Sequence, residues 1–174
     1  TISVSAAPAS FPSTNACESE RMVDRSAIGR SFAPVTAHVE PGRLRYFCDT
    51  IGETNPIYRD VQAARAEGYS AIPVPPTYLF CLEMMDAENP FEFLTALDID
   101  LARVLHGEQG FTYHEPAVVG DTLTFRSRVT DVTEKKGGAM TLIAVVTEVT
   151  RQDGVRLADV TRTIVVRNPE AAST

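Results

Sequence analysis

The sequence has few cysteines and no cysteine pair of the kind that binds metal. Its three cysteines, Cys17, Cys48 and Cys81, stand more than thirty residues apart, with no CxxC pair and no Cys/His cluster at zinc-ligand spacing. This pattern argues against a zinc site and against a disulfide framework. An odd number of scattered cysteines is typical of a reducing compartment, so we expect a cytoplasmic protein without a metal.

Long apolar runs and clusters of basic residues are also missing. No stretch approaches the roughly 18 apolar residues of a membrane span. The formal net charge is −7 and the sixteen Lys and Arg residues are scattered, whereas nucleic acid and anionic lipid both require clustered cations. No phosphate-binding loop, G-x-S-x-G elbow or dinucleotide fingerprint is present. We therefore expect neither nucleic acid nor membrane as a partner, and no nucleotide cofactor.

The composition that is present predicts one globular domain. The chain has 174 residues, of which 44% are hydrophobic and 22% charged, and this fits a single packed core. Residues 1–25 are rich in Ser, Ala and Pro without the features of a secretion signal, which predicts a flexible arm. Residues 26–168 form the predicted domain, and residues 169–174 a frayed tail.

Helical spacing dominates the first half of the domain. Apolar residues recur at helical intervals in 41–52, where Gly52 suits the helix end. Residues 59–69 predict a second short helix. Within 72–90 the stretch "TYLFCLEMM" is apolar on nearly every side, which predicts a buried helix with Pro75 and Pro76 in its first turn.

The second half is dominated by strand patterns. The segment 91–105 is ambiguous and predicts a strand followed by an irregular stretch, whereas 108–117 predicts a strand ended by Pro116. Three long alternating runs follow, with "KKGG" and "RQDG" as hairpin turns between them; they cover 121–134, 138–152 and 155–168. The expected architecture is α+β, with an antiparallel sheet wrapped around the buried helix and exposed edges that a second copy can pair with.

Three segments in this order resemble the MaoC-like hydratases and dehydratases of the hot-dog superfamily, and more narrowly their fatty-acid-synthase-like dehydratase domain. They are "RLRYFCDTIGETNPIYRD", "GYSAIPVPPTYLF" and "HGEQGFTYHEPAVVGDTLTFRSRVTDVTEKKGG". The likeness runs from about residue 28 to residue 167. It implies a single hot-dog fold and a homodimer, or a heterodimer with another MaoC-like subunit. It also implies an acyl-CoA or acyl-carrier-protein substrate, with no separate cofactor.

The resemblance also implies a reaction and a set of site residues. Active members add water to, or remove it from, an acyl thioester with the motif G-D-x-N-P-[apolar]-H, in which Asp and His transfer the protons. The chain has "GETNPIY" there, so Glu53 replaces Asp and Tyr58 replaces His. The implied catalytic residues are Glu53, Tyr58 and Asn55; the implied substrate-binding residues are Gly52, Pro56, Pro75, Pro76, Thr77 and Tyr78, the last four near the start of the central helix.

The two replacements leave three functions open. Replacing Asp with Glu moves the carboxylate by one methylene. Replacing His with Tyr exchanges an imidazole, with a pKa near 6.5, for a phenol with a pKa near 10. The chain is accordingly a hydratase with an altered proton-transfer pair, or a catalytically weak subunit that binds acyl-CoA or braces a competent partner. A hot-dog thioesterase, in which Glu53 directs water at the carbonyl carbon, is the third possibility. Taken without its context, the motif also fits a simple helix stop and turn.

Histidine is the residue type that could replace the missing proton carrier. His106 lies just before the strand predicted at 108–117 and His114 lies near its end, and a sheet wrapped around the helix can bring either one near it. A structural or surface role is the commoner fate of such residues. His38 is a weaker candidate because it lies in the N-terminal segment.

Overall fold

The computed structural model describes residues 23–168. Four helices, α1 to α4, lie mainly in the first half, and five strands, β1 to β5, mainly in the second. The helices are Pro41–Thr50, Val61–Ala66, Tyr78–Asp86 and Glu92–Ala96, and the strands are Val35–His38, Val104–Tyr113, Thr122–Lys135, Met140–Arg151 and Arg156–Arg167. Residues 1–22 of the predicted arm and the predicted tail 169–174 lie outside the described residues, so the predicted domain limits stay predictions.

The five strands form one antiparallel sheet in the order β1-β3-β4-β5-β2. The predicted meander is present in β3, β4 and β5, which pair in sequence order. Strand β2 precedes β3 in the chain but pairs with β5 at the far edge of the sheet. Strands β1 and β2 form the two edges, and between β2 and β3 the chain crosses from the β2 edge to the position next to β1.

Helix α3 packs on the sheet and forms the centre of the core. Its residues Leu79 and Leu82 are fully buried, as are Phe125 of β3 and Val149 of β4. Alternate residues along β3 and β4 are buried, as the period of two in a strand requires when one face packs against a helix. This is the predicted α+β arrangement. Within residues 23–168, no helix combines the length and apolar character needed to cross a bilayer.

The central helix starts later than the sequence predicts. Pro75 and Pro76 were expected in its first turn, but α3 starts at Tyr78. The reason is Thr77, which has φ +75° and ψ −19°. This left-handed conformation cannot continue a right-handed helix, so both prolines lie in the loop before α3.

The prediction for residues 91–105 is wrong. The segment contains the short helix α4 and a 3-10 turn, Leu101–Arg103, before β2 begins at Val104. Phe93 and Leu94 of α4 are both buried in a second apolar cluster on the sheet. Adjacent apolar residues in the sequence predict a strand, but packing of these side chains against the sheet stabilises the segment as a helix. Strand β2 also ends at Tyr113, before the predicted stop at Pro116.

Candidate functional site

The end of α1 places the motif residues. Gly52 has φ +70°, the Glu53 amide donates to the Cys48 carbonyl at 2.8 Å, and the Gly52 amide donates to the Asp49 carbonyl at 3.3 Å. These two bonds form a Schellman motif, which satisfies the last carbonyls of a helix and requires a left-handed residue. The predicted helix stop is thus confirmed, and it positions Glu53 immediately after α1.

A 3-10 turn, Pro56–Tyr58, follows. The Asn55 side-chain oxygen accepts the Ile57 amide at 3.1 Å and so caps this turn. The Glu53 carboxylate accepts the Asn55 amide at 2.8 Å. Pro56 occupies the first position of the turn, where its missing N–H costs nothing. Glu53 and Asn55, both implied as catalytic, therefore hold the loop that carries them.

Arg59 ties this loop back to α1. Its Nε donates to the Glu53 carbonyl at 2.8 Å, and its guanidinium bonds the Asp49 carboxylate at 2.6 Å. A side chain that bridges a loop and the preceding helix limits the conformations open to the loop. Arg59 is not among the site residues that the sequence predicted, and its position directly after the motif was the only sign of it.

Tyr58 is half-buried at the end of the 3-10 turn. Burial raises the pKa of its phenol, and the negative charge of the nearby Glu53 raises it further. A phenol with a raised pKa stays protonated at neutral pH. Tyr58 can donate a hydrogen bond there, but it cannot accept a proton as the histidine of the family motif does.

A cavity of about 250 Å³ joins the motif, the loop before α3 and the end of β2. It is lined by Tyr58, Tyr69, Pro73, Val74, Pro76, Leu79, Tyr113, His114, Glu115, Pro116 and Ala117. Of the residues implied by the resemblance, Tyr58 and Pro76 line it directly. Gly52, Asn55, Pro56 and Thr77 are exposed, while Pro75 is buried. Its walls are mainly apolar and aromatic, as is usual for small-molecule sites.

Tyr113 contacts the start of the central helix. The Thr77 amide donates to the Tyr113 hydroxyl oxygen at 3.2 Å, and burial raises the pKa of Tyr113 although this bond opposes the rise. The free amides at a helix N-terminus carry positive potential that suits a developing oxyanion. Tyr113 is not among the site residues that the sequence predicted. The only sign of it in the sequence was its position two residues after Phe111, because side chains two residues apart in a strand lie on the same face of the sheet.

Tyr78, implied as substrate-binding, lies in the core. It is fully buried, and its ring lies 4.9 Å from that of Phe47 between centroids. Its hydroxyl has no hydrogen-bond partner, and burial raises its pKa. Tyr78 is not among the residues that line the cavity.

Of the three histidines, His114 is the one at the cavity. Its Nε2 lies 2.9 Å from the Asp159 carboxylate, which also accepts from Arg156. Burial opposes ionisation of Asp159, but the bonds from His114 and Arg156 outweigh it, and the pKa of Asp159 is lowered. His106 instead packs against the ring of Phe80 at 5.5 Å. In residues 23–168, no three His, Cys, Asp or Glu side chains are grouped to hold a metal ion.

The comparisons with known proteins agree on one family. Residues 26–160 match the family model described as "FAS1-like, dehydratase domain region". The chain is 34% identical to a UPF0336 protein of Saccharopolyspora erythraea over 147 residues, covering 83% of this chain and 92% of that protein.

Solved structures share the fold. The C-terminally truncated HadBC (3R-hydroxyacyl-ACP dehydratase) complex from Mycobacterium tuberculosis has a TM-score of 0.68 and 21% identity, covering 79% of this chain and 96% of that one. A MaoC-like dehydratase has a TM-score of 0.73 and 24% identity, covering 83% of this chain and 43% of that one. The chain therefore belongs to the family of FAS1-like dehydratase domain regions and has the hot-dog fold that its sequence predicted.

Proposed function

We propose that this chain is the acyl-thioester-binding subunit of a heteromeric hydratase/dehydratase that interconverts 2-enoyl and 3-hydroxyacyl thioesters. A second MaoC-like subunit, carrying an intact Asp/His pair, performs the proton transfers. The observation that carries this proposal is the placement of Tyr58, half-buried at the cavity, at the position of the family's histidine; burial also raises the pKa of its phenol. A general acid–base residue works best with a pKa near the operating pH, and Tyr58 is far from it.

Binding of the thioester is supported by the cavity. Leu79, Val74 and Pro73 provide apolar walls for the first carbons of an acyl chain. The Thr77 amide at the start of α3 points at Tyr113, so the Tyr113 hydroxyl accepts that bond and keeps its own proton available. Through this relay, an amide with positive potential polarises a phenol that can donate to the thioester oxygen.

The proton-transfer step is where the chain is deficient. Hydration needs a base that takes a proton from water and a group that delivers one to C2. Glu53 is a carboxylate, but one of its oxygens already accepts the Asn55 amide. Tyr58, held protonated, cannot cycle a proton near neutral pH. An Asp/His pair on a partner subunit removes this deficiency.

The unpaired strand edges support a partner subunit. In residues 23–168, β1 and β2 each have a neighbouring strand on one side only. Such edges are templates for pairing with another chain. The similar HadBC structure is, by its description, a complex. We propose by analogy that this chain pairs with a second hot-dog subunit.

A self-sufficient hydratase is the second candidate. It is favoured by the closeness of the two motif side chains, since the charge of Glu53 acts directly on the pKa of Tyr58. On this view Glu53 activates water and Tyr58 donates a hydrogen bond. The rate would be reduced relative to an Asp/His pair, because a displacement near 1 Å alone costs on the order of 100-fold.

An assay with crotonyl-CoA as the substrate distinguishes these functions. The ultraviolet absorbance of the enoyl thioester and the release of free thiol are followed together, for the chain alone and for the chain with a MaoC-like protein that has the Asp/His motif. We expect little turnover alone and loss of absorbance, without thiol, only in the mixture. Rapid loss by the chain alone supports the second candidate and contradicts the heteromer. Thiol release by the chain alone identifies a thioesterase.

A further inference from the structure

Three tyrosine side chains meet at the cavity beside the motif. Tyr58 ends the 3-10 turn, Tyr69 follows α2, and Tyr113 ends β2. All three line the same cavity of about 250 Å³. Burial and the charge of Glu53 raise the pKa of the Tyr58 phenol most. Tyr69 and Tyr113 raise this pKa further, which means that their phenol groups lie close to it.

The end of α2 fixes the position of Tyr69. Gly68 has φ +89°, and its amide donates to the Arg65 carbonyl at 3.0 Å. The Tyr69 amide donates to the Ala64 carbonyl at 3.1 Å. These two bonds form a Schellman motif like the one at the end of α1. The backbone of Tyr69 is therefore held beside the cavity, and its side chain is half-buried.

The three hydroxyl groups still have protons to donate. Within residues 23–168, the hydroxyl groups of Tyr58 and Tyr69 have no hydrogen-bond partner. The Tyr113 hydroxyl accepts the Thr77 amide at 3.2 Å, and this bond does not use its own proton. Each of the three phenols can thus donate one hydrogen bond to a molecule in the cavity.

The other walls of the cavity offer these donors little to bond. Pro73, Val74 and Leu79 are apolar. His114 and Glu115 also line the cavity, but in the part of the chain that the structure describes neither side chain bonds a tyrosine hydroxyl. A bound molecule that displaces water without offering an acceptor would leave the donors unpaired, and this costs free energy.

A plain acyl thioester provides too few acceptors for the three phenols. It has one carbonyl oxygen, which bonds Tyr113 in the proposed binding. Tyr58 and Tyr69 would then face an alkyl chain without a partner. A second oxygen on the acyl group removes this cost, because one oxygen can accept two hydrogen bonds through its two lone pairs.

We infer that Tyr69, together with Tyr58, donates hydrogen bonds to an oxygen on C3 of the acyl group. Tyr69 lies outside the "GETNPIY" motif and makes the cavity selective for thioesters that carry this oxygen. The inference rests on the proposed function, in which the 3-hydroxyacyl thioester has its hydroxyl on C3. Only C2 separates that carbon from the thioester carbon, so both oxygens lie within the one cavity.

The test compares butyryl-CoA with 3-hydroxybutyryl-CoA, by calorimetric measurement of Kd on the full chain. We expect the hydroxylated ester to bind about tenfold more tightly or better, since a site built to bond a hydroxyl discriminates against the analogue that lacks it. Tyr69→Phe should reduce this preference to about threefold or less and leave the Kd of butyryl-CoA unchanged. The control Tyr46→Phe, at an exposed residue of α1, should keep the full preference.

The outcomes separate this inference from the proposed function. Equal Kd values for the two esters on the unaltered chain overturn the inference, while the proposed function stands. The inference also fails if Tyr69→Phe keeps the full preference, or if it weakens both esters equally, since Tyr69 would then act only on the structure of the cavity. If neither ester binds the unaltered chain, the proposed acyl-thioester function fails and the inference fails with it.

Discussion

At the scale of single residues, Glu53 and Tyr58 have different limitations. Glu53 keeps the chemistry of a carboxylate, but it accepts the Asn55 amide within its own loop. Tyr58 lies at the cavity, where burial and the charge of Glu53 raise its pKa. Tyr58 is therefore the more serious departure from the family motif, because its protonated side chain cannot release and take up a proton in turn at neutral pH.

Restoring the motif should create activity. We predict that Glu53→Asp combined with Tyr58→His raises crotonyl-CoA hydration by the chain alone about tenfold or more, since acid–base catalysis contributes roughly 100-fold to 10,000-fold when well positioned. The measurement is the initial rate of loss of enoyl absorbance. Tyr46→His, at a residue 75% exposed on α1, is the control and should change nothing. An unchanged rate in the double variant would show that the loop does not present these positions to substrate.

Thr77 has a costly backbone conformation. It is β-branched, has φ +75°, and its side chain is exposed. Such conformations cost on the order of 1–3 kcal/mol and concentrate at functional sites. Here the conformation leads the chain from the prolines into α3 and directs the Thr77 amide at Tyr113.

Replacing Thr77 with glycine should relieve this strain. We predict that Thr77→Gly raises the free energy of unfolding by about 1 kcal/mol, because glycine adopts positive φ without steric cost and no buried contact is lost. Chemical denaturation measures the change. Thr95→Gly, at an exposed position inside α4, should change stability in the opposite direction. A loss of stability in Thr77→Gly would mean that the threonine side chain itself stabilises the loop.

At the scale of elements, the end of β2 and the start of β5 are joined by polar contacts beside the cavity. His114 follows β2, and its Nε2 bonds the carboxylate of Asp159 in β5. Arg156 bonds the same carboxylate from the start of β5. These contacts hold the cavity wall that contains Tyr113 against the rest of the sheet.

The Asp159 contacts should make stability depend on pH. The pKa of Asp159 is lowered in the folded chain, so the ionised form favours folding above its unfolded pKa of about 3.9. This contribution is lost as the pH falls through the lower folded value. We predict that Asp159→Asn lowers Tm at neutral pH, and that the difference from the unaltered chain disappears in strong acid. A difference in Tm that stays constant across the titration would assign the effect to packing alone.

At the scale of the whole molecule, the sheet has one short edge and one long edge. Strand β1 has four residues and β2 has ten. β2 has a register shift between His106 and Glu108, and such irregularities are a common feature of sheet edges. Leu105, near its start, is 51% exposed. We regard this long edge as the better candidate for contact with a partner subunit.

A charge on this edge should weaken assembly. We predict that Leu105→Lys shifts the chain towards the monomer, both alone and with a MaoC-like partner, because lysine on an edge strand opposes pairing. Sedimentation velocity measures the distribution. Met85→Lys, at a residue 50% exposed on α3, introduces the same charge away from the edge and should leave assembly intact. If both variants assemble like the unaltered chain, the partner does not pair along β2.

The sequence by itself determined the features that depend on neighbouring residues. Pro41 and Gly52 delimit α1, and the alternating runs became β3, β4 and β5. The residues of "GETNPIY" form the predicted turn, because capping and Schellman bonds join residues a few positions apart. The resemblance predicted the fold and the position of the motif, because both are encoded in short segments of neighbouring residues.

Only the tertiary structure decided which distant elements meet. It placed β2 beside β5, made 92–96 helical, and brought Tyr113 to the Thr77 amide across 36 residues of chain. It also paired Glu83 with Arg162 beneath α3, which no local pattern indicates. The physical reason is that long-range contacts arise from packing the apolar faces of whole elements together, and this packing overrides the local preferences of short segments.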